Sequence, residues 1–411
     1  MKLNEVLKEE IEKISPSKSE ILELKKIASN LISSLKVNGI DSFLGGSLAK
    51  GTLIKGSEKR DVDIFALFSE SGDISKLGEV LRKIDLPGKL KKVRGSRDYF
   101  QIVNPDIVLE VIPVVKSGNA TVENVTDFSL SHVRYVKDEI RKNPKLSDEI
   151  RLAKAFCKAN RVYGAESYIH GFSGYSLEVL IVYFGSFVKF LKGIEKEKAK
   201  VIDPAKHFRN RNEVMRELNE SKISGPIVLV DPMHKYRNIC AGLRYESFDK
   251  FNKVSREFLK SPSLDFFEKK DIDVEELKRF ASSKKARLVK IELKTDRQEG
   301  DIAGTKMKKF FDYFSLELMR KQQKILLKEF FYSGEGKTAI AYLVLLESLE
   351  IEVRGPPVKM IEPVMAFKKA KGSKAFLKKG YYWYKEKVSL EGIMKDSQKV
   401  MGEMGACGKI V

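Results

Sequence analysis

The chain has 411 residues, and its 77 lysine and arginine residues outnumber 57 aspartate and glutamate residues, which gives a net charge of +20. This length predicts two to four domains of roughly 100–200 residues each, and 42% hydrophobic residues are enough to build their cores. The composition therefore excludes a disordered basic tail, and the charge favours a polyanionic partner, with nucleic acid first and an anionic membrane surface second.

Residues 1–145 are predicted to form an α/β or α+β domain. Apolar positions recur at helical spacing over residues 3–36 with a break at Ser15-Pro16-Ser17, so a pair of helices is expected there. Short apolar segments then predict four strands, at residues 42–44, 62–68, 101–103 and 107–113. Alternating helices and strands of this kind are typical of mixed domains.

Residues 146–270 are predicted to form a helical domain. Helical spacing covers residues 147–191 and resumes after Phe248, and residues 171–175 predict a helix-start turn with Ser173 as its N-cap. The residues around Pro262 and the acidic stretch 271–274 predict a linker.

The rest of the chain, residues 271–411, is predicted to be an α/β domain. Its expected elements are a strand at 288–293, a long helix at 306–331, and strands at 338–346 and 381–385.

Several classes of protein are not expected. The longest apolar segment, 177–187, contains Glu178 and is shorter than the roughly 20 residues that a membrane-spanning helix needs. The charged first residues do not follow a signal-peptide pattern, so we expect a cytoplasmic location. Three cysteines and four histidines are widely spaced, so neither a disulfide framework nor a structural zinc site is expected.

Phosphate-binding and metal-binding features follow one another in the first domain. Gly45-Gly46-Ser47 allows backbone amides to approach phosphate oxygens, and Lys50 adds a cation. Asp61 and Asp63 lie on one face of a predicted strand, roughly 7 Å apart. If the strand that carries Glu110 pairs beside them, the three carboxylates suit two magnesium ions for phosphoryl transfer.

Each of these motifs alone has a simpler interpretation. A Gly-Gly-Ser turn is usually a plain connection, and an Asp-x-Asp pair is usually a solvated strand end, but their occurrence in this order favours catalysis. By contrast, Gly334-Glu335-Gly336-Lys337-Thr338 lacks the first glycine of a P-loop and precedes a strand-like segment, so we interpret it as a turn.

The pattern Gly-Ser-x-x-Lys-Gly-Thr followed by Asp-Val-Asp-Ile-Phe resembles the nucleotidyltransferase superfamily of DNA polymerase β, and specifically the archaeal (class I) CCA-adding enzymes. Five further segments, all in order, are similar to that family; they begin at Lys158, Gly171, Tyr183, Val230 and Pro262. The resemblance covers about residues 30–390. It implies an α+β multidomain fold with a mixed-sheet nucleotidyltransferase head (1–145), a helical neck that selects the base (146–270) and an α/β body and tail that bind tRNA (271–411).

The resemblance also implies roles for individual residues. Asp61 and Asp63 match the catalytic metal-binding pair, and Glu110 stands where the family usually has Asp, with Asp106 as the alternative third carboxylate. The matching nucleotide-binding positions are Ser47, Lys50, His132, Lys154, Tyr163 and Arg237. A planar guanidinium such as that of Arg237 can hydrogen-bond a base edge at two points. The simpler alternatives are a surface histidine at 132, a solvated lysine at 154 and a core tyrosine at 163.

Cations and aromatic residues are interleaved near the C-terminus. Residues 354–411 hold 13 basic and 5 acidic residues, so about 8 of the 20 net charges lie there. Lysines that contact phosphates beside rings that stack on bases are typical of RNA binding, so we assign Lys368, Lys369, Lys371 and Lys378 to the tRNA surface. Trp383 is expected in the core, and Lys294 matches a basic contact to the primer end.

The predicted activity is template-independent addition of C, C and A to the 3′ end of tRNA from CTP and ATP, with two Mg²⁺ ions. The predicted partners are the tRNA 3′ end and acceptor stem, ATP and CTP. No membrane partner is expected, and a homodimer is an open alternative. Two alternatives remain: a poly(A) or oligo(A) polymerase, and a basic RNA-binding protein on the same scaffold without catalysis.

Overall fold

The structure is a computed structural model that describes residues 2–55, 59–69, 74–95, 97–115, 128–195, 201–269 and 272–411. The chain divides into two compact units, one made of residues 1–165 with 169–270 and the other of residues 166–168 with 271–411. The predicted boundary at 270/271 lies outside the described residues. The division of the first unit into a head and a neck stays a prediction.

The first unit begins with two helices, a mixed sheet and two short helices beside it. These elements are α1 (Leu3–Ile14), α2 (Lys18–Val37), β1 (Ser42–Leu44), α3 (Gly46–Lys50), β2 (Arg60–Phe68), α4 (Ser75–Lys83), β3 (Lys89–Val93), β4 (Tyr99–Val103) and β5 (Ile107–Val115). The strand order is β1-β2-β5-β4-β3, in which β2 and β5 are parallel and the other pairs antiparallel. The predicted strands of this region are confirmed.

The break between α1 and α2 has a local cause. The Ser17 hydroxyl accepts a hydrogen bond from the Glu20 backbone N–H at 3.2 Å, and the Glu20 carboxylate accepts one from the Ser17 N–H at 2.7 Å. This capping box satisfies two amides that would otherwise lack partners at the start of α2. The predicted helical pair with a break at residues 15–17 is therefore confirmed.

The remainder of the first unit is mostly helical. Its elements are α5 (Ser129–Lys142), α6 (Leu146–Ala159), α7 (Gly174–Phe184), α8 (Phe187–Gly193), β6 (Val201–Ile202), α9 (Arg211–Glu217), α10 (Glu220–Ile223), β7 (Val228–Asp231), β8 (His234–Asn238) and α11 (Tyr245–Lys260). Ser173 caps α7 by accepting from the Ser176 N–H at 3.1 Å, as its position predicts. No single helix in the described residues is long and apolar enough to cross a membrane; α7 and α8 meet that test only as a pair bent by 90°.

The predicted linker around Pro262 lies between α11 and α12 (Val274–Ser283), but it is partly structured, and its acidic part begins at Asp271, outside the described residues. Residues Leu264–Phe267 form a 3-10 helix, and Phe267 is buried with its ring 5.7 Å from that of Phe156 and 5.5 Å from that of Phe258. The proline and serine suggest a loop, but burial of the aromatic pair that follows them outweighs the local turn signal. The segment therefore completes the phenylalanine-rich core of the first unit.

The second unit contains two antiparallel sheets. Its elements are α12 (Val274–Ser283), β9 (Arg287–Thr295), α13 (Asp301–Arg320), β10 (Lys324–Phe331), β11 (Thr338–Leu346), β12 (Glu350–Pro357), α14 (Ile361–Lys371), β13 (Ala375–Lys378), β14 (Tyr381–Lys387), α15 (Leu390–Met401) and β15 (Ala406–Ile410). One sheet has the order β10-β11-β9-β15, and the other β12-β14-β13. Apolar residues of α13 and α15 form one core with the first of these sheets.

The predicted helix over residues 306–331 is wrong in its second half. Helix α13 ends at Arg320, Gln322 has a left-handed φ of 55°, and residues 324–331 form β10. Strand β10 pairs with β11 from Lys324 to Phe331, and this long-range pairing outweighs a local pattern that suits either structure. The Gly334–Thr338 segment is a turn between these strands, as predicted, since Thr338 begins β11.

Glu10 gives a test of how α1 packs. Glu10 is 5% exposed, and burial raises the pKa of its carboxyl group to about 7. The charge of Lys13 lowers this pKa, whereas those of Glu268 and Glu9 raise it. Because the folded pKa exceeds the unfolded value, this group's contribution to stability is full below the unfolded pKa and is lost as pH rises through about 7. We expect Glu10→Gln to raise the Tm by at least about 2 °C at pH 8 and to change it little at pH 4.5.

The matched control is Glu12→Gln, since Glu12 is exposed on the same helix. Thermal unfolding of both variants across this pH range is the measurement. An equal gain in Tm at both pH values for Glu10→Gln would contradict the assignment of a buried, proton-binding carboxyl.

Candidate active site

A pair of glycines, Gly45 and Gly46, brings the start of α3 into contact with β2. The Gly45 N–H donates to the Asp63 carbonyl oxygen at 2.8 Å, and Gly46 has a φ of +58°. A Cβ atom at Gly46 would lie 1.6 Å from Asp63 Oδ2, so no larger residue fits there without displacing that carboxylate. The two glycines are therefore needed for this close approach, which places Ser47 and Lys50 of α3 beside the start of β2.

The three predicted metal-binding carboxylates share one face of the sheet. Asp63 pairs with Glu110 across the parallel strands β2 and β5, and Asp61 lies two residues before Asp63. Side chains at these positions point the same way, about 4.8 Å apart across the strands and roughly 7 Å along one strand. Asp106 precedes β5, about 13 Å along the chain from Glu110, so Glu110 is the carboxylate beside Asp63.

The three carboxyl groups are each engaged with protein neighbours. Asp63 lies against Gly46, and Glu110 Oε1 accepts a hydrogen bond from Gln101 Nε2 of β4 at 2.8 Å. In the described part of the chain, no three His, Cys, Asp or Glu side chains converge as a metal site. The donor chemistry nevertheless fits Mg²⁺, which prefers carboxylate oxygens, and two paired strands present all three to one side.

A second cluster joins two lysines through a buried carboxylate. Glu178 of α7 is 0% exposed, and its two oxygens lie 2.7 Å from Lys50 Nζ and 2.7 Å from Lys154 Nζ. Thr52 accepts from Lys154 Nζ at 2.9 Å and donates to Glu178 at 2.9 Å. Burial alone would raise the pKa of Glu178, but Lys154 and Lys50 outweigh it and hold this pKa at about 2.

The charges of this cluster extend to the carboxylate face. Burial raises the pKa of Asp63, while Lys50 and Lys154 act in the opposite direction. Burial lowers the pKa of Lys154 to about 8, against the pull of Glu178. The two lysines carry one charge more than Glu178, so the cluster has a net attraction for an anion such as a triphosphate.

A third cluster surrounds Asp231, which is fully buried at the end of β7. Asp231 Oδ2 lies 3.0 Å from His132 Nε2 and accepts from Arg237 Nη1 at 3.1 Å. Its Oδ1 accepts from the Tyr175 hydroxyl at 3.1 Å and from the Met233 N–H at 3.0 Å. The carboxylate thus has partners on both oxygens and fixes the position of the predicted base-reading arginine.

His132 lies between Asp231 and Arg237. Burial lowers its pKa, although Asp231 acts to raise it. Its Nε2 lies 3.0 Å from both Asp231 Oδ2 and Arg237 Nη1, so this one nitrogen either donates to the carboxylate or accepts from the guanidinium. The ring stacks on Tyr175 with centroids 3.8 Å apart, and the Arg237 guanidinium lies 5.5 Å from the Phe128 ring centroid.

Helix α7 connects the second and third clusters. Tyr175 and Glu178 are three residues apart, so they lie on one face of the helix, and that face contacts both clusters. Tyr163, another predicted nucleotide-binding residue, is half-buried. Its hydroxyl lies beside Gly174 at the start of α7, so close that a Cβ atom on this glycine would be 2.8 Å from the hydroxyl oxygen. The structure therefore brings together Ser47, Lys50, Lys154, Tyr163, His132 and Arg237 around α3, α6 and α7.

Sequence reasoning missed three members of this site, namely Glu178, Thr52 and Asp231. The available signal for Glu178 was its position in the middle of an otherwise apolar helix. A carboxylate buried there needs charged or hydrogen-bonding partners, so it indicates a polar cluster. Asp231 ends an apolar strand in the same way. Neither pattern identifies the partner, since Glu178 is 128 positions from Lys50 and Asp231 is 99 positions from His132.

The predicted RNA-binding lysines of the second unit lie on more than one surface. Lys368 and Lys371 of α14 lie over the Tyr382 and Tyr384 rings, 4.5 Å and 4.0 Å from their centroids. Lys378 pairs with Glu352 and lies 5.7 Å from the Trp383 ring centroid. Because neighbouring residues of a strand face opposite sides, Trp383 is on the sheet face away from Tyr382 and Tyr384.

The expectation that Trp383 belongs to the core is wrong. The side chain is only partly buried, and its indole N–H donates to the Lys378 carbonyl at 3.0 Å. The reason is that α14 packs on the opposite face of the three-stranded sheet.

The other two predicted RNA-binding lysines are exposed. Lys369 is exposed on α14. Lys294 is exposed on β9 and lines a cavity of about 520 Å³ together with Lys395 and Lys409.

Comparisons with known proteins agree with this architecture. Residues 148–268 match the family described as tRNA nucleotidyltransferase, second domain. The chain is 36% identical over 249 residues to the CCA-adding enzyme of Nanoarchaeum equitans, covering 59% of this chain and 61% of that protein. It is 28% identical over 399 residues to the CCA-adding enzyme of Methanosarcina mazei, covering 91% and 84%. The chain thus spans about three fifths of the length of several curated relatives that it matches.

A solved structure described as a cytoplasmic RNA terminal U-transferase has the same fold over much of the chain. The TM-score is 0.51 at 13% identity, with 66% of this chain and 100% of the other covered. This likeness confirms the predicted α+β multidomain class with a nucleotidyltransferase fold. In sequence, the chain is similar to the archaeal CCA-adding enzymes and, over residues 148–268, to the second domain of tRNA nucleotidyltransferases.

Proposed function

We propose that this protein adds C, C and A in turn to the 3′ end of tRNA, using CTP and ATP without a nucleic-acid template. The observation that carries the proposal is the segment of residues 45–52, which contains α3. It packs Gly46 against the Asp63 carboxylate and, at its other end, holds Lys50 2.7 Å from Glu178. A metal-binding carboxylate face and a triphosphate-binding lysine pair are thereby adjacent, which is the combination that nucleotidyl transfer needs.

The proposed reaction breaks one phosphoanhydride bond of the nucleotide and forms one phosphodiester bond, and the proton of the 3′ hydroxyl passes to a carboxylate or to water. The 3′ hydroxyl oxygen of the tRNA attacks the α-phosphorus in line, and pyrophosphate leaves as the α–β bond breaks. Glu110, beside Asp63, is suited to help to activate the hydroxyl. When bound at Asp61, Asp63 and Glu110, two Mg²⁺ ions supply positive charge to the phosphate oxygens.

Residues of the predicted head and neck are suited to hold the nucleotide. Lys50 and Lys154 offer charge to the triphosphate, and Ser47, at the start of α3, offers a hydroxyl. Arg237 is suited to contact the base, because Asp231 restrains one end of its guanidinium while the other N–H groups keep their donor capacity. His132 and Tyr163 complete the proposed nucleotide site.

The experiment that tests this function is product sequencing. Purified protein is incubated with Mg²⁺ and tRNA that lacks its 3′ end, with CTP and ATP together and each nucleotide singly, and the RNA ends are sequenced. We expect addition to stop after CCA with both nucleotides and after two C residues with CTP alone.

The outcomes separate the alternatives. A long homopolymer from ATP would identify a poly(A) or oligo(A) polymerase, and no magnesium-dependent incorporation with intact RNA binding would identify a non-catalytic RNA-binding protein. Either result would reject the proposed activity.

Asp63 should be required for chemistry and not for RNA binding. We expect Asp63→Ala to reduce nucleotide incorporation by at least about 100-fold, because it removes a carboxylate of the proposed metal site. Binding of tRNA, measured by filter retention, should change less than about twofold. Asp85→Ala, at an exposed aspartate between α4 and β3, is the control. Turnover retained by Asp63→Ala would remove this residue from the active site.

The lysines of α14 should contribute to RNA affinity through phosphate contacts. We expect the double variant Lys368→Ala, Lys369→Ala to weaken tRNA binding and to reduce the slope of log affinity against log salt by roughly one to two. The control pair is Lys25→Ala, Lys26→Ala, on the exposed surface of α2. An unchanged slope for the α14 variant, or an equal change for the control pair, would argue against a specific RNA surface at α14.

A further inference from the structure

Helix α7 carries a carboxylate whose burial demands an explanation. Glu178 is 0% exposed, and its neighbours Leu177, Val179, Leu180 and Ile181 are also fully buried in the apolar core of the first unit. An ionised carboxylate in such surroundings is costly unless charged partners and hydrogen bonds satisfy it. Glu178 has both, since each oxygen contacts a lysine ammonium group at 2.7 Å.

Glu178 and its three contacts come from four separate parts of the first unit. The carboxylate lies on α7, Lys154 on α6, Lys50 at the end of α3, and Thr52 in the segment that follows α3. Thr52 is fully buried and contacts both Glu178 and Lys154, so the lysines, the hydroxyl and the carboxylate form one connected network. The position of each ammonium group therefore depends on the same carboxylate.

Glu178 is not placed to act on a substrate itself. Both of its oxygens are occupied, and no part of the side chain is exposed. The lysines differ from it, because the Lys50 side chain is 11% exposed and that of Lys154 5%. Two ammonium groups this close would repel one another without an anion between them. One carboxylate for two lysines removes that repulsion and still leaves one positive charge for an incoming anion.

We propose that Glu178 is a positioning residue that holds Lys50 and Lys154 together as one triphosphate-binding pair. The same contacts keep the segment of residues 45–52, which contains α3, against helices α6 and α7. The inference rests on the proposed function, because it names the part of the nucleotide that this pair binds. It predicts that loss of the carboxylate weakens nucleotide binding through the lysines and not through unfolding.

The test is steady-state incorporation of CTP and ATP by Glu178→Gln, with Tm measured on the same samples. We expect the nucleotide KM to rise by about tenfold or more, because charge-assisted contacts of the lysines are lost, while kcat falls much less. Glu178→Asp keeps the charge and should recover part of the affinity. The matched control is Glu149→Gln, whose carboxylate accepts only a structural hydrogen bond from the Phe187 N–H at 2.7 Å; its KM should equal that of the wild type.

A double-mutant cycle shows whether Glu178 acts through the lysines. In a background with Lys50→Met and Lys154→Met, we expect Glu178→Gln to cause no further rise in KM, because its partners are absent. A rise of the same size in both backgrounds, or a lowered Tm with an unchanged KM, would overturn the proposal. If Glu178→Gln does not fold, Thr52→Val, which removes the bridging hydroxyl at similar volume, should raise KM by a smaller factor; no rise would also count against the proposal.

Failure of this inference can be told apart from failure of the proposed function. If the wild-type protein incorporates CTP and ATP but Glu178→Gln has the wild-type KM, only the positioning role is rejected. If the wild-type protein incorporates neither nucleotide, the proposed function is rejected first. In that case binding of CTP with Mg²⁺ to the wild-type and Glu178→Gln proteins, measured by calorimetry, tests the lysine pair directly, and equal affinity would reject it.

Discussion

The candidate active site depends on ionised carboxylates kept inside the apolar core of the first unit. Glu178 and Asp231 are both fully buried, and each is stable there only because cations and hydroxyls from other elements satisfy its oxygens. Removing one such partner would leave an uncompensated charge in a medium of low polarity. The carboxylates therefore constrain where the lysines, the histidine and the arginine lie, and with them α3, α5, α6 and β8.

The close approach of the loop to β2 is the second constraint, and it is steric. A side chain at Gly45 would overlap the Phe65 ring at 2.0 Å, and one at Gly46 would overlap Asp63 at 1.6 Å. The two glycines contact different residues of one strand, so the chain follows β2 at the N-cap and at the first residue of α3. The same segment contacts the Asp63 carboxylate at Gly46 and places Lys50 against Glu178. The positions of the Asp63 carboxylate and of the Lys50 ammonium group are therefore coupled through α3.

Much of this fold can be predicted from the sequence, because its local signals are strong. The capping box at Ser17, the alternation in β2 and the N-cap at Ser173 each determine an element from a few adjacent residues. The errors have long-range causes. Residues 324–331 form a strand because β11 is available to pair with them, and Phe267 is buried because the core has space for it. Glu178 and Asp231 could be flagged as buried charges, but their partners Lys154, His132 and Lys50 lie 24, 99 and 128 positions away.

The net charge of +20 has different consequences in different parts of the chain. The cations of the candidate site are few, and buried carboxylates neutralise much of their charge, so this site is suited to a small anion of defined shape. Lys368 and Lys371 of α14 lie over the Tyr382 and Tyr384 rings near the surface of the second unit. Charge that is compensated and fixed favours selectivity, whereas charge that is exposed favours affinity for a long polyanion. The proposed reaction, which selects one nucleotide while an RNA stays bound, would use both arrangements, and they lie in separate units of this chain.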